Sequence, residues 1–190
     1  MSKVIVETSA RHMHLTREAV DALFGEGYEL TKKKDLSQPG QYACAEKVEV
    51  IGPKGSLMMS ILGPTRPESQ VEVSYTDARA LGITPPVRES GDIAGTPGCT
   101  LRLGENTVVL TEGVIVAKRH IHLTPEAAAE FGVADKQIVR VRINSNGRTT
   151  IYDDVVIRVK SSFAPAMHID TDECNAAAAF GTVEGEILVD

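Results

Sequence analysis

The chain has 190 residues, of which 42% are hydrophobic and 24% charged, a mixture that supports one or two packed cores and excludes fibrous and disordered classes. Lys+Arg 20 against Asp+Glu 26 leaves a formal charge of -6, which argues against nucleic acid or an anionic membrane as the main partner and favours a small-molecule ligand. Cys44, Cys99 and Cys174 are odd in number and far apart, so they read as free thiols in a reducing cytoplasm, and no segment approaches the ~20 apolar residues of a membrane span.

The fold is expected to begin almost at once, with the apolar run Val4-Ile5-Val6 and no signal-peptide pattern. Ala10-Arg11-His12-Met13-His14-Leu15-Thr16 follows and leads into a short helix closing at Phe24-Gly25. Thr16 suits an N-cap, and Glu18 suits the positive end of that helix. Lys32-Lys33-Lys34 reads as a solvated charge run. Lys47 to Ile51 alternates with period two and predicts a strand, and Gly52-Pro53-Lys54-Gly55 predicts a turn. Val71 to Asp77 leads into a second helical stretch ending at Leu81-Gly82, and the Pro- and Gly-rich stretch from Thr84 to Gly98 reads as the connection to a second unit.

That second unit repeats the first. Val114-Ile115-Val116 precedes Arg119-His120-Ile121-His122-Leu123-Thr124-Pro125-Glu126, 108 positions after the corresponding Arg11; such a recurrence in one chain marks a duplication. Thr124 and Pro125 open a helix ending at Phe131-Gly132. Strands are expected over Ile138 to Ile143 and within Thr149 to Val159, with a turn at Asn146-Gly147. Met167 to Glu173 matches Val71 to Asp77, and a helical stretch closes at Phe180-Gly181. Two small β-rich units capped by short helices are the simplest architecture.

All five histidines lie in these repeated pieces. In an extended chain, residues i and i+2 point to one side, so His12 with His14, and His120 with His122, each present two imidazoles to one point. The duplication nominates Glu72 and His168 as the third member of each set. Three protein ligands with a position left open are the pattern of a catalytic metal site, and imidazole suits Zn, Cu, Fe or Ni. Arg66 approaches Glu72 through a turn-rich segment, where its guanidinium could clamp a phosphate or carboxylate or be an ordinary surface arginine. Arg11 and Arg119 could touch an anion or pair with a nearby carboxylate. Asp170, Asp172 and Glu173 are read as acids of a helix N-terminus rather than partners of a ligating histidine, and Cys174 as a small buried hydrophobe. No phosphate loop, dinucleotide fingerprint or nucleophile elbow is present in the sequence.

Four ordered motifs, S-A-R-H-M-H-L at 9 to 15, L-G-P-T-R-P-E-S-Q-V-E-V-S at 62 to 74, R-H-I-H-L at 119 to 123 and M-H-I-D-T-D-E at 167 to 173, resemble the PduL-type phosphotransacylases, or phosphate propanoyltransferases. The resemblance implies a mainly β fold of two duplicated small β-barrels capped by short α-helices, the N-terminal strand joining the C-terminal barrel. The first domain would span 11-117, and the second 1-10 plus 118-190. It implies reversible conversion of propanoyl-CoA or acetyl-CoA plus phosphate to acyl phosphate plus coenzyme A. A pair of zinc ions, or other divalent metals, would lie between the barrels, one held by His12, His14 and Glu72 and the other by His120, His122 and His168. Arg66 would be the catalytic and phosphate-binding arginine, and Thr8, Ser9, Ala10, Lys54 and Asn175 would contact coenzyme A. The basic residue that the family often carries before Leu62 has no counterpart among Met58, Met59, Ser60 and Ile61.

Direct attack of phosphate on the thioester carbonyl is expected, since no motif supplies a serine or cysteine nucleophile. Some family members carry an extension that directs them to bacterial microcompartments; here eleven residues precede His12, and free cytoplasm is the expectation, with a homo-oligomer open. Two competitors use the same histidines. A cupin-like metalloenzyme would take Glu18 or Glu126 as third ligand, against which Pro125 argues by opening a helix. A non-catalytic metal-binding two-barrel module would need neither Arg66 nor a coenzyme A surface.

Overall fold

The computed structural model describes residues 2–145 and 147–188. Asn146 of the expected turn lies outside the described residues, while its neighbour Gly147 takes a left-handed φ of 80°. The chain divides into two compact units. One, the barrel unit, takes the residues up to Ser9, the segment Ser37–Pro39 and the chain from Lys118 on. The other, the open-sheet unit, takes Ala10–Leu36 and Gly40–Ala117.

In chain order the elements are β1 (Lys3–Thr8), β2 (His12–His14), α1 (Arg17–Phe24), β3 (Lys32–Asp35), β4 (Tyr42–Ile51), β5 (Ser56–Gly63), β6 (Gln70–Glu72), α2 (Tyr75–Leu81), β7 (Val87–Arg88), β8 (Cys99–Leu103), β9 (Asn106–Leu110) and β10 (Val114–Ala117). The repeat then brings β11 (His120–Leu123), α3 (Pro125–Phe131), β12 (Ile138–Ile143), β13 (Thr150–Val159), β14 (Ala166–Ile169), α4 (Thr171–Ala177) and β15 (Val183–Leu188). The expected mainly β architecture with capping helices is the one found, and β1 joins the barrel of the C-terminal half.

The barrel is closed in the order β1-β14-β11-β13-β12-β15, with β15 returning to β1. Its strands are rich in β-branched residues, and inward-facing side chains fill the interior: Val4, Val6, Ile121, Val141, Ile143 and Ile157 are buried together with Leu123 and Met167. Each such side chain contributes roughly 1.5–3 kcal/mol of burial. The open-sheet unit has nine strands along the path β7-β10-β6-β2-β5-β4-β8-β9, with β3 on β4. Its core gathers Met13, Leu15, Val48, Val50, Met59, Ile61, Val71 and Leu101.

The duplication is visible in the pairings. Strand β2 runs parallel to β5 and antiparallel to β6, and β11 runs parallel to β13 and antiparallel to β14. The segment from Thr84 to Gly98 departs from expectation, for it lies inside the open-sheet unit and the chain leaves that unit only at Ala117. Strand β7 pairs with β10, and the buried Thr96 accepts the Gly113 N–H at 2.9 Å while donating to the Ile93 carbonyl. These long-range ties leave no periodicity in a stretch broken by Pro and Gly.

The helix starts follow the sequence. Thr16 accepts the Ala19 N–H and Thr124 the Ala127 N–H, and Pro125 sits in the first turn of α3. Ser74 with Asp77, and Asp170 with Glu173, form reciprocal capping boxes on α2 and α4. Each repeat adds an arginine to its box: Arg11 pairs with Asp77 and Arg119 with Glu173 at 3.2 Å. Of the two sequence readings for Arg11 and Arg119, the carboxylate pairing is therefore the one realised. Helix α4 stops at Ala177, short of the expected Phe180-Gly181, because Ala178 turns left-handed at φ 48°. A run of four alanines carries no stop signal, alanine being the strongest helix former. Among the described residues, no helix is long and apolar enough to cross a membrane.

Two outcomes follow for stability. Helices α1, α2 and α3 are capped by Gly25, Gly82 and Gly132 at positive φ, whereas α4 uses Ala178; Ala178→Gly should raise the urea unfolding free energy by about 0.5–1 kcal/mol. Burial raises the Glu173 carboxyl to about 7, its bond from the Asp170 N–H and the Arg119 charge opposing this only in part, while the Asp170 charge adds to it. The folded chain therefore binds the extra proton between about 4.5 and 7, and the contribution of this group falls as pH rises through that window. Glu173→Gln should shift the stability difference between pH 5 and pH 8 by about 1–3 kcal/mol in favour of the variant at the higher pH; equal pH slopes in urea titrations would refute it.

Candidate active site with two metal-ligand groups

The open-sheet group is built by register. His12 lies opposite Glu72 across the antiparallel β2·β6 pair, which brings His12 Nε2 within 3.5 Å of Glu72 Oε2. His14 follows two residues on, its ring centroid 5.1 Å from that of His12, while Met13 between them points into the core. Each of His12, His14 and Glu72 offers one ligand atom, the three atoms lying within 4.8 Å of one another. All three residues are buried.

The barrel group repeats the arrangement. His120 lies opposite His168 in the β11·β14 pair, and His122 completes a cluster with ring centroids 4.6 to 5.1 Å apart. Its three ligand atoms again lie within 4.8 Å. Phe163 packs against the His122 ring at 4.2 Å.

The proton positions in both groups suit metal binding. His12 Nδ1–H donates to the Ala10 carbonyl at 2.9 Å, and His120 Nδ1–H to the Lys118 carbonyl at 2.8 Å. A carbonyl only accepts, so in the neutral ring the lone pair is left on Nε2. The second histidine of each pair differs in the same way in both units: Nδ1 of His14 and Nδ1 of His122 are buried without a hydrogen-bond partner. An orphaned buried acceptor is costly, and a cation at that point would satisfy it.

Burial holds His14 down to about 3, with the His12 and Arg66 charges adding to it. His122 is held down to about 2 by burial, His120, His168 and Arg158. Both rings are therefore neutral and ready to ligate near neutral pH. Burial also pulls His12 down, but the Glu72 charge and hydrogen bond, with the Ala10 carbonyl, outweigh it and raise the ring above its ordinary value. The donor sets, two imidazoles with a carboxylate and three imidazoles, fit a divalent transition metal such as zinc.

Arg66 stands beside the open-sheet group, since its charge acts on both His12 and His14. Its backbone N–H donates to the Leu15 carbonyl at 2.9 Å, and Nη1 donates to Ser90 Oγ at 3.1 Å. Gln70, which the sequence reading passed over, links this arginine to the ligands. Its Nε2 donates to Glu72 Oε1 at 2.7 Å and to Ser90 Oγ at 2.9 Å, and its Oε1 accepts the Gly91 N–H at 2.7 Å. Gln70 stands two residues before Glu72 on an extended strand, a spacing that was available as a signal. Ser90 carried none.

The remaining expected positions fall outside both ligand groups. Thr8, exposed at the end of β1, and Ser9, whose N–H donates to the Ile169 carbonyl at 2.8 Å, belong to the barrel unit, as does Asn175, exposed on α4. Ala10 contributes its carbonyl to His12. Lys54 is exposed in the turn after β4, where its stem packs on Gly82 and its N–H bonds the Leu81 carbonyl. Glu18 and Glu126, the third ligands of a cupin-like site, are exposed on α1 and α3 and join neither group.

Known proteins are similar to this chain along nearly its whole length. The family model for phosphate propanoyltransferase matches residues 5–180. The phosphate propanoyltransferase of Listeria monocytogenes is 56% identical over 186 residues, covering 97% of this chain and 87% of that protein. That of Enterococcus faecalis is 56% identical over 184 residues, with 96% and 87% covered, and that of Thermotoga maritima 55% identical over 176 residues, with 92% and 83% covered. On the family match over residues 5–180 and the identity to these relatives, the chain belongs to the phosphate propanoyltransferase family of acyltransferases.

Proposed function

We propose that the chain exchanges phosphate and coenzyme A on an acyl group, converting propanoyl-CoA plus phosphate reversibly to propanoyl phosphate plus coenzyme A, with two divalent metal ions, one in each ligand group. The observation that carries this reading is the pair of three-residue groups, in each of which the same buried nitrogen, Nδ1 of the second histidine, is orphaned. Zinc is the ion best matched to these donors. Acetyl and propanoyl differ by one methylene, worth only ~1–3 kcal/mol in a pocket, so acetyl-CoA is a second substrate.

When bound, such an ion polarises a carbonyl oxygen and offsets the negative charge of a departing thiolate. The chain supplies the rest. His12, His14 and Glu72 hold one ion, and His120, His122 and His168 the other. Arg66 receives phosphate through its planar guanidinium, which Ser90 fixes in place. Gln70 bonds both Glu72 and Ser90, so the carboxylate and the arginine are positioned by one buried amide. The Thr8-Ser9-Ala10 backbone, Lys54 and Asn175 contact coenzyme A.

Phosphate attacks the thioester carbonyl carbon directly: a carbon–oxygen bond forms, the carbon–sulfur bond breaks, and sulfur leaves as thiolate. An acyl-enzyme step through cysteine has little support. Cys44, Cys99 and Cys174 are buried, and burial raises the Cys44 thiol to about 11 and the Cys99 thiol to about 12, leaving little thiolate to act as nucleophile.

The test mixes the purified protein with propanoyl phosphate or acetyl phosphate and coenzyme A and follows thioester absorbance, with and without a chelator. Turnover lost on chelation and restored by zinc is the expected result, and its absence would leave a non-catalytic metal-binding module. Metal analysis should give two ions per chain, falling to one in His14→Ala and in His122→Ala. Arg66→Ala should lower kcat/KM for phosphate by about 10²–10³ with metal content unchanged; unaltered phosphate kinetics would remove Arg66 from its role.

A further inference from the structure

The two ligand groups differ in charge. His12, His14 and Glu72 bring one negative charge to a dication, whereas His120, His122 and His168 bring none. Arg158, in register with His122 across the β11·β13 pair, adds positive charge on that side. A dication held by three neutral imidazoles near a guanidinium is stabilised by an anion close by.

The structure places one at His168. Glu7 is its direct cross-strand neighbour in the parallel β1·β14 pair, and Glu7 Oε2 lies 3.7 Å from His168 Nδ1. The other ring nitrogen, Nε2, is buried. His12 and His120 turn Nδ1 to a backbone carbonyl two residues back; His168 turns it to a carboxylate. That carboxylate is itself held, for Ser37 Oγ donates to the same Oε2. Ser37 arrives on the Ser37–Pro39 segment, where the buried Gln38 clamps Ala164 through both its backbone groups, donating to the carbonyl at 2.9 Å and accepting the N–H at 3.2 Å. A strap inserted between β3 and β4 thus joins the barrel unit and fixes the acid that faces His168.

We propose that Glu7 is a positioning residue for the three-histidine metal site: its carboxylate orients the His168 ring through Nδ1, raises the basicity of Nε2, and supplies the counter-charge that the ligands lack. The inference rests on the reading that this group holds a divalent ion. A carboxylate behind a ligating histidine is a recognised way of fixing its tautomer and strengthening its bond to metal, and loss of such a partner weakens binding about 10–100-fold.

The experiment uses the full chain, stripped of metal and titrated with zinc against a chromophoric chelator, then with cobalt(II) for its visible spectrum. A His14→Ala background isolates the barrel site. Glu7→Gln, which keeps the size of the side chain and removes its charge, should weaken zinc at that site about 10–100-fold and alter the cobalt spectrum, leaving the other site of the otherwise unchanged chain as it was. Glu7→Asp should restore part of the loss. A His14→Ala chain that takes up no ion would overturn the metal reading of the three-histidine group, and the role of Glu7 with it. Equal affinities with Glu and Gln at position 7 in a chain that does bind would overturn Glu7 alone. So would equal weakening of both sites, or lower stability of the metal-free variant with unchanged affinity, since each is what a merely structural residue would give.

Discussion

Register is the constraint on which the site depends. The alternation of a strand puts His12 and His14 on one side, but a third ligand needs a neighbouring strand aligned to the residue. Antiparallel pairing sets His12 opposite Glu72 and His120 opposite His168, and a slip of one position would turn either third ligand away. What holds the register is the apolar residue between each pair of histidines: Met13 and Ile121 are fully buried in the two cores. The packing that stabilises each unit and the geometry that gathers its ligands are the same arrangement.

Duplication has conserved this frame and let its chemistry diverge. The carbonyl two residues before the first histidine, the orphaned nitrogen of the second, and the arginine paired to a capping-box acid occur in both copies. The third ligand does not. A carboxylate in one copy draws the His12 ring upward, whereas in the all-imidazole copy a carboxylate, that of Glu7, faces His168 from strand β1. The box acids diverge too, since Asp77 and Glu173 differ by one methylene, and the longer acid is pushed up to about 7.

Much of this was legible in the sequence because it obeys local rules. Period-two alternation, threonine and proline at helix starts, and repetition of a histidine pattern need no knowledge of distant contacts. They led to the capped β units, the paired histidines and their third partners. Other features are set by contacts that leave no local trace. Ser90 reaches Arg66 from a loop twenty-four residues away, Glu7 meets His168 only because β1 lies beside β14, and the tether of residues 84 to 98 within its own unit depends on Thr96 and on β10. The end of α4 was misplaced for the opposite reason: an alanine run is locally uniform, and a backbone reversal at Ala178 interrupts it.

The closed barrel also has a temporal side. Strand β1 has both its partners, β14 and β15, in the last part of the chain. During synthesis from the N-terminus, this apolar strand emerges well before β14 and β15, and neither flank is covered until they follow. Pairing across such separations is slow, and an unsatisfied edge in the meantime invites association with other nascent chains. Alternation of Val4 and Val6 with Lys3, Ile5 and Glu7 places charge at both ends of that strand, a feature that disfavours such encounters while the ribosome completes the C-terminal strands.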